Sequence, residues 1–389
     1  MPAKILVVDD EPDLQLMISQ KFRKQVRDNE LFFTYAKSGV EALQKLQEHG
    51  ETDVVLTDIN MPEMDGLTLL TKLNEQYPLI KAVIVSAYGD MANIRTALNR
   101  GAFDFVTKPI DFDDLEATLK KTILQALTFK QAVRDRDQLV AIQQELEVAR
   151  KIQQSIVPRR FPPFPDRKEF EIHATMIPAQ NVGGDFYDFF LIDDDRLGFV
   201  IGDVAGKGVP AALFMAVSKT LLKATALKGL PPEECLQQVN RILYMESPAA
   251  MFVTIFYGIL DTRSGELNYC NGGHNPPYLL RADGQIEALE LTGGIALGAM
   301  KNSVYKAKQM TLQAGDGIFL FTDGVTEAMD RNSELFSEAR LEENLKGKTG
   351  VSLPQLIESV IAAINAYASG VPQADDITIL ALQFVRKKA

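Results

Sequence analysis

Short apolar runs alternate with amphipathic segments over about the first 125 residues, and this alternation constrains the fold more than any other feature. The runs are apolar throughout, which is typical of strands that are covered on both faces. Strands separated by helices predict a doubly wound, five-stranded parallel sheet of the α/β class. The predicted strands are Lys4–Val8, Phe32–Ala36, Val54–Thr57, Ala82–Ser86 and Phe103–Thr107.

Carboxylates follow two of these strands. Asp9 and Asp10 follow the first strand, and Asp58 follows the third. The carboxyl ends of parallel strands meet at one edge of a sheet, so the three acids should converge there. Three clustered carboxylates repel one another unless a cation neutralises them, which predicts Mg²⁺. Ser86 and Lys108 end the fourth and fifth strands, and with the metal they could stabilise a phosphoryl group on one acid.

These motifs closely resemble the receiver domain of response regulators, over residues 1–125. The resemblance rests on Val7-Val8-Asp9-Asp10-Glu11, Asp58-Ile59-Asn60-Met61-Pro62, Asp65-Gly66 and Lys108-Pro109. It implies that Asp58 is the phosphoacceptor and that a sensor histidine kinase or another phosphodonor is a partner. The implied Mg²⁺ ligands are Asp9, Asp10, Asp58 and the carbonyl of Asn60. The implied switch residues are Ser86, Phe105 and Lys108. A helix cap could explain Asp9-Asp10 alone, but not all of these positions.

Residues 126–157 contain neither glycine nor proline and are rich in Lys, Arg, Gln and Glu. A heptad spacing of three and four residues relates Leu139, Ile142, Leu146, Ala149, Gln153 and Ile156. The spacing predicts a helical coiled-coil linker that pairs with a second copy in a homodimer. An amphipathic helix lying on one domain is the alternative. Prolines from Pro158 onward mark the boundary of the next domain.

Residues 158–389 combine glycine-punctuated strands with a few long helices. No regular crossover helices separate the strands, which favours an α+β fold with sheets covered by helices. The predicted helices are Pro210–Leu227, Pro232–Met245 and Ser352–Tyr367. The predicted strands include Phe199–Asp203, Phe252–Leu260 and Ile318–Thr322.

Four acidic clusters in this half lie beside glycines or at strand ends. Asp203 and Asp323 should close apolar strands, and the neighbouring glycines allow a backbone carbonyl to approach a cation. Carboxylates without histidine partners suit Mn²⁺ or Mg²⁺ and not zinc. Two such ions can activate a bridging water for attack on a phosphate. The clusters are Gly183–Asp188, Gly202–Gly208, Thr322–Gly324 and Asp375–Thr378.

These clusters resemble the PPM family of metal-dependent, protein phosphatase 2C-like enzymes, of the sporulation-stage-II-E type. The resemblance runs from about Arg150 to Phe384 and includes the Gly-Asp-Val-x-Gly-x-Gly motif at 202–208. It implies a layered α-β-β-α sandwich and a serine/threonine phosphatase with two Mn²⁺ or Mg²⁺ ions. Asp203 would bridge the ions and the Val204 carbonyl would bind one. The other implied ligands are Asp185, Asp323 and Asp375, with Asp376 sharing that role or lying behind it.

The same resemblance implies a substrate, a phosphorylated anti-sigma-factor antagonist whose dephosphorylation releases a sigma factor by partner switching. The eukaryotic relatives have an arginine that grips the phosphate and a histidine near the metals, and neither has a counterpart at a matching position. The sequence leaves open the roles of Asp188, Lys207 and His274. His274 is interpreted mainly as a structural residue, and otherwise as one near the active site. Asp188 lies either behind the metal ligands or at the surface. Lys207 is interpreted as a solvent-facing residue or a phosphate contact, and Asp193-Asp194-Asp195 as a solvated turn.

Composition narrows the remaining possibilities. The net charge of -11 argues against an output domain that binds nucleic acid. Two cysteines, Cys235 and Cys270, give no disulfide framework, as expected in a reducing compartment. The start of the sequence resembles no leader peptide, and no apolar run reaches the roughly 20 residues of a membrane span. We therefore expect a cytoplasmic protein without a membrane segment.

A helical connection between the two halves suggests how they communicate. We expect phosphorylation of Asp58 to change the pairing of the linker, which would then position a helix that completes the metal site. One rival interpretation is a non-catalytic adaptor, in which a degenerate phosphatase fold binds a sigma-factor regulator. Another is a different metal-dependent hydrolase, such as a cyclic-nucleotide enzyme. Degenerate relatives lose metal ligands, whereas the four motif acids persist here.

Overall fold

A computed structural model describes residues 2–49, 51–87, 90–246, 251–348 and 350–385. The chain divides into two compact units, Met1–Ile142 and Gln143–Ala389.

The first unit is built on a five-stranded parallel sheet in the order β2-β1-β3-β4-β5, which confirms the predicted doubly wound fold. Each strand begins and ends within a residue or so of its predicted bounds. The strands are β1 (Ala3–Val8), β2 (Leu31–Ala36), β3 (Val54–Asp58), β4 (Lys81–Ala87) and β5 (Asp104–Lys108). The helices are α1 (Pro12–Lys21), α2 (Arg23–Arg27), α3 (Gly39–His49), α4 (Gly66–Gln76), α5 (Met91–Asn99) and α6 (Phe112–Ile156).

Helices cover both faces of this sheet, which explains why most residues of its strands are apolar on both faces. Leu6 and Val8 of β1 join a core with side chains of α3, α4 and α5. Ile5 and Val7, which point the other way, join a core with side chains of α1 and the start of α6. Alternate residues of one strand therefore enter opposite cores.

Helix α6 is 45 residues long and crosses the boundary between the two units. Leu139 and Ile142, the first two heptad positions, are 61% and 52% exposed. Leu146 and Ala149 are half-buried, and Gln153 is buried within the second unit. The end of the helix therefore lies on one domain, as the alternative interpretation expected. Pairing with a second copy remains a prediction.

The second unit contains two antiparallel five-stranded sheets, in the orders β13-β10-β9-β8-β7 and β12-β11-β14-β15-β6. The predicted α+β class is confirmed. The strands are β6 (Phe170–Ile177), β7 (Phe186–Leu191), β8 (Arg196–Val204), β9 (Val253–Asp261), β10 (Glu266–Gly272), β11 (Tyr278–Leu280), β12 (Ile286–Ala288), β13 (Lys308–Thr311), β14 (Gly317–Phe321) and β15 (Ile377–Phe384). The helices are α7 (Gly208–Ala226), α8 (Pro232–Glu246), α9 (Asp323–Thr326), α10 (Ser337–Leu345) and α11 (Leu353–Tyr367).

The two sheets pack face to face, with helices outside them. Leu380 and Leu382 of β15 enter the core shared with the first sheet and with α7 and α8. Ile379 and Ala381 point the other way and pack against α10 and α11. The layers are therefore helix, sheet, sheet and helix, the sandwich that the sequence predicted.

Helix α7 is, within the described ranges, the one helix whose length and apolar composition would allow it to cross a membrane. Of the most apolar 18-residue stretch of this helix, 44% is buried inside the protein. Ala211, Met215 and Leu222 of this helix belong to the core between the layers, which accounts for its apolar composition.

Candidate functional sites

Three carboxylates converge at the carboxyl edge of the receiver sheet. Asp9 and Asp10 follow β1 and Asp58 ends β3, its parallel neighbour. Ligand oxygens of all three lie within 4.8 Å of one another, closely enough to hold one metal ion. Within the described ranges, this is the one group of three or more histidine, cysteine, aspartate or glutamate residues whose ligand atoms lie this close together. The donors are all carboxylates, which suits Mg²⁺.

Lys108 neutralises part of this charge. Its Nζ lies 2.7 Å from Asp58 Oδ2 and 3.1 Å from Asp9 Oδ2. Burial alone would lower the pKa of Lys108, but its bonds to Asp58 and Asp9 outweigh that effect and the pKa is raised. Asp58 Oδ1 accepts the N–H of Ile59 at 2.6 Å. The Asp58 carboxylate is thus held on one side by the backbone and on the other by an ammonium group.

The predicted switch residues lie on the neighbouring strands. Ser86 is buried on β4, and among the described residues its hydroxyl has no hydrogen-bond partner. Its neighbour Val85 pairs in register with Asp58. Phe105 on β5 is half-buried against the core beside α3, α4 and α5. A free hydroxyl one residue from the partner of Asp58 suits the role that the sequence suggested for Ser86.

In the second unit, the candidate acids come from both sheets. Asp203 lies on β8 of the first sheet, and Asp185 immediately precedes β7. Asp323 follows β14 and opens α9, and Asp375 precedes β15, both in the second sheet. The predicted strand ends are slightly wrong, because β8 continues through Val204, which pairs with Val253 of β9. Each acid is nevertheless attached to a rigid strand end.

The four candidate acids interact electrostatically with one another. Burial raises the pKa of Asp203 to about 7, and the charge of Asp323 adds to the shift. Burial, followed by the charges of Asp203 and Asp376, also raises the pKa of Asp185 well above its ordinary value. The group is wider than the receiver cluster, since no three of its ligand atoms lie within 4.8 Å of one another in the described chain.

Asp376 and Asp375 are neighbours with different surroundings. Asp376 Oδ1 accepts the N–H of Ala179 at 2.8 Å, and its Oδ2 accepts the N–H of Gly184 at 2.7 Å. Asp375 instead pairs with the Nζ of Lys207 at 2.9 Å. Because backbone amides already engage both oxygens of Asp376, the geometry favours Asp375 as the ligand and Asp376 as the anchor of the loop before Asp185.

Two glycines make this anchor possible. A Cβ on Gly183 would lie 2.0 Å from Asp376 Oδ2. A Cβ on Gly184 would lie 2.8 Å from the carbonyl oxygen of Val204, which the sequence suggested as a metal ligand. Only glycine permits both approaches.

Asp188 belongs to a different network. It is fully buried, and its Oδ2 lies 2.6 Å from Lys219 Nζ and 3.3 Å from Lys223 Nζ, both on α7. Asp188 therefore joins β7 to α7, and the surface position considered from the sequence is wrong. The role of Lys207 was also left open by the sequence. Its side chain is half-exposed and forms an ion pair with Asp375.

Two further residues support Asp185, and sequence reasoning missed both roles. Thr322 Oγ1 donates to Asp185 Oδ2 at 2.7 Å, although the strands that carry them belong to different sheets. Gln153 of α6 forms two hydrogen bonds with the backbone of Gly183. Its Nε2 donates to the Gly183 carbonyl oxygen at 2.5 Å, and its Oε1 accepts the Gly183 N–H at 3.0 Å. The only signal for Gln153 was that it is polar within an apolar heptad pattern.

An acid-lined parallel sheet and a two-sheet sandwich with converging carboxylates define a response regulator whose output domain has a phosphatase fold. Residues 5–120 match the family model described as the response regulator receiver domain, and residues 193–385 match stage II sporulation protein E (SpoIIE). The chain belongs to the response regulators that carry a SpoIIE-type PPM phosphatase domain.

Known relatives agree with this assignment. Protein IcfG of Synechocystis sp. is 33% identical over 265 residues, which cover 61% of this chain and 41% of that protein. Phosphoserine phosphatase RsbU of Bacillus subtilis is 33% identical over 195 residues, or 50% of this chain and 57% of that protein. The chain spans about half the length of the curated relatives it matches. The SiaA-PP2C domain of Pseudomonas aeruginosa is a structural neighbour, with a TM-score of 0.56, 25% identity and coverage of 63% of this chain and 98% of that one.

Proposed function

We propose that the second unit hydrolyses phosphoserine or phosphothreonine on a partner protein, under the control of a phosphoryl group on Asp58. The convergence of acids from both sheets carries the proposal. Burial and mutual repulsion raise the pKa of Asp203 to about 7, and divalent cations would relieve that repulsion. The match to a relative that is named a phosphoserine phosphatase supports the same activity.

The acids suit two Mn²⁺ or Mg²⁺ ions, which when bound supply an activated water for attack on the phosphate. Asp203 would be shared, and Asp185, Asp323, Asp375 and the carbonyl of Val204 would complete the ligand set. Thr322 holds the carboxylate of Asp185 in place through its 2.7 Å bond. Lys207 balances the charge of Asp375, from which its Nζ is 2.9 Å away.

The proposed substrate is a phosphorylated anti-sigma-factor antagonist, and the proposed setting is partner switching in the cytoplasm. A sensor histidine kinase or another phosphodonor would load Asp58. The resemblance to the sporulation-stage-II-E type of phosphatase supports this choice, as does the relative RsbU. No nucleic acid is required as a partner, in keeping with the net charge of -11.

Metal-dependent release of phosphate is the direct test. We expect the full chain to release phosphate from a phosphoserine protein or an aryl phosphate with Mn²⁺ present, and to stop when a chelator is added. The assay is run with and without a small acyl-phosphate donor, so that the sign of control by Asp58 is measured in the same experiment. A chain that binds no metal in the second unit would instead support the adaptor interpretation.

Metal binding should depend on pH. Because the pKa of Asp203 is raised to about 7, the folded protein holds a proton there at lower pH, and a metal ligand must be deprotonated. We expect the Mn²⁺ affinity of the second unit to fall by about tenfold per pH unit below about 7 and to level off above it. Calorimetry with Asp9→Asn and Asp10→Asn, which remove two of the three receiver carboxylates and leave Asp58 alone, weakens the receiver site so that this site dominates the titration. Equal affinity on both sides of neutrality would contradict the prediction.

The linker helix should influence the same site through Gln153. Gln153→Ala removes both bonds to Gly183, next to the loop that places Asp185. We expect Mn²⁺-dependent activity to fall by about tenfold, because groups that orient metal ligands contribute on that scale. Gln144→Ala is the matched control, since Gln144 is exposed on the same helix. Equal activity of the two variants would show that Gln153 has no such role.

Control by the receiver would act through the exposed part of α6. Leu139 and Ile142 are available for pairing in a homodimer, and a change of pairing would alter how Gln153 holds Gly183. If deletion of residues 126–142 leaves the effect of the acyl-phosphate donor intact, this coupling is wrong.

A further inference from the structure

His274 is buried between the two sheets of the second unit, and its ring forms one hydrogen bond to each sheet. Nδ1 lies 2.9 Å from the hydroxyl oxygen of Thr254 on β9, in the first sheet. Nε2 lies 3.1 Å from the carbonyl oxygen of Phe321, at the end of β14 in the second sheet. The ring therefore links two strands that share no backbone hydrogen bonds.

Both partners adjoin a candidate metal ligand. Thr254 pairs in register with Asp203 across β8 and β9. Phe321 precedes Asp323 by two residues at the end of β14. The link through His274 thus joins the residue that pairs with Asp203 to the strand end that precedes Asp323. A change in this link would change the spacing of those acids.

The two bonds fix the proton on the ring. A carbonyl oxygen can only accept, so Nε2 carries the hydrogen and Nδ1 accepts from the hydroxyl of Thr254. Burial lowers the pKa of His274 to about 4, in agreement with a neutral ring. This single tautomer allows the ring to form its hydrogen bonds to both sheets at the same time.

The backbone of the loop holds the ring in that position. His274 N–H donates to Asn271 Oδ1 at 2.7 Å, and Asn271 Nδ2 donates to the His274 carbonyl at 2.8 Å. The preceding Gly273 has φ +79°, which a side chain would strain. The loop therefore presents the imidazole to both sheets in one fixed orientation.

We propose that His274 is a positioning residue that sets the spacing of Asp203 and Asp323 across the two sheets, and so sets the affinity of the second unit for divalent cations. This role rests on the proposed function of those acids as metal ligands. His274 touches neither acid and acts through Thr254 and the backbone of β14.

The test is a calorimetric Mn²⁺ titration of the full chain carrying Asp9→Asn and Asp10→Asn, which remove two of the three receiver carboxylates so that the second unit dominates the signal. We expect His274→Ala to weaken Mn²⁺ binding by about tenfold or more, the scale seen when groups behind metal ligands are removed. His274→Gln keeps a donor for Phe321 and should recover part of the affinity. Thr254→Val removes the other bond with little change in volume and should weaken binding in the same direction.

His173→Ala is the matched control. His173 is a half-buried histidine on β6 of the second sheet, and its ring packs on Phe161 at 4.3 Å between centroids. Its removal should leave Mn²⁺ affinity unchanged, and thermal unfolding without metal shows which variants are folded. Wild-type affinity in a folded Thr254→Val protein, or in a folded His274→Ala protein, would overturn the positioning role alone. Absence of Mn²⁺ binding by the unaltered second unit would overturn the proposed metal site as well.

Discussion

Asp203→Ala is expected to abolish Mn²⁺-dependent phosphate release. Asp203 is the acid proposed to be shared by both ions, and metal activation contributes several kcal/mol of transition-state stabilisation, so the loss should reach about 1000-fold. The measurement is the initial rate of phosphate release at saturating Mn²⁺. Asp194→Ala is the control, because Asp194 is an exposed acid in the turn between β7 and β8.

The loss should not arise from unfolding. Because Asp203 has a raised pKa in the folded state, its charge destabilises the metal-free protein as the pH rises through about 7. The metal-free Asp203→Ala protein should therefore be at least as resistant to heat as the wild type at neutral pH. A variant that is folded and keeps most of its activity would show that Asp203 is not the shared ligand.

Asp58→Asn is expected to eliminate loading by a small acyl-phosphate donor. The nucleophilic carboxylate between Lys108 and the amide of Ile59 is replaced by an amide, which cannot form the acyl phosphate. Intact-protein mass measurement after incubation with the donor and Mg²⁺ reports the loss. Asp28→Asn, which changes an exposed acid at the end of α2, should load as the wild type does.

The same variant separates the two units functionally. Any change that the donor causes in the rate of phosphate release should disappear in Asp58→Asn, whereas the basal rate with Mn²⁺ should remain. Phosphoryl incorporation into the Asp58→Asn protein would place the acceptor at another residue.

The architecture could be predicted from local patterns. Runs such as Val54–Leu56 have apolar residues in consecutive positions, which distinguishes strands covered on both faces from half-exposed ones. All strands of a parallel sheet run in the same direction, so their carboxyl ends lie at one edge. This alone predicts that Asp9, Asp10 and Asp58 lie close together. These features depend on residues that are close in sequence or on the geometry of a whole sheet.

Contacts between distant residues could not be predicted. Heptad spacing identifies the face on which Gln153 lies but not the glycine that it binds 30 residues later. Asp375 and Asp376 are identical side chains in adjacent positions, and only the fold shows that the amides of Ala179 and Gly184 reach one of them. The link through His274 likewise depends on how two sheets pack, which no short motif encodes.

Strand β15 is the last strand in the sequence, yet it lies between β14 and β6 in the second sheet. It follows directly on Asp375 and on Asp376, the anchor of the loop before Asp185. During synthesis, the first unit can fold while the second is still emerging from the ribosome, since domains fold as units from the amino end. The acids of the second unit cannot be assembled until β15 has been made. Each newly made chain can therefore complete the parallel sheet of its receiver before the acids of the second unit are brought together.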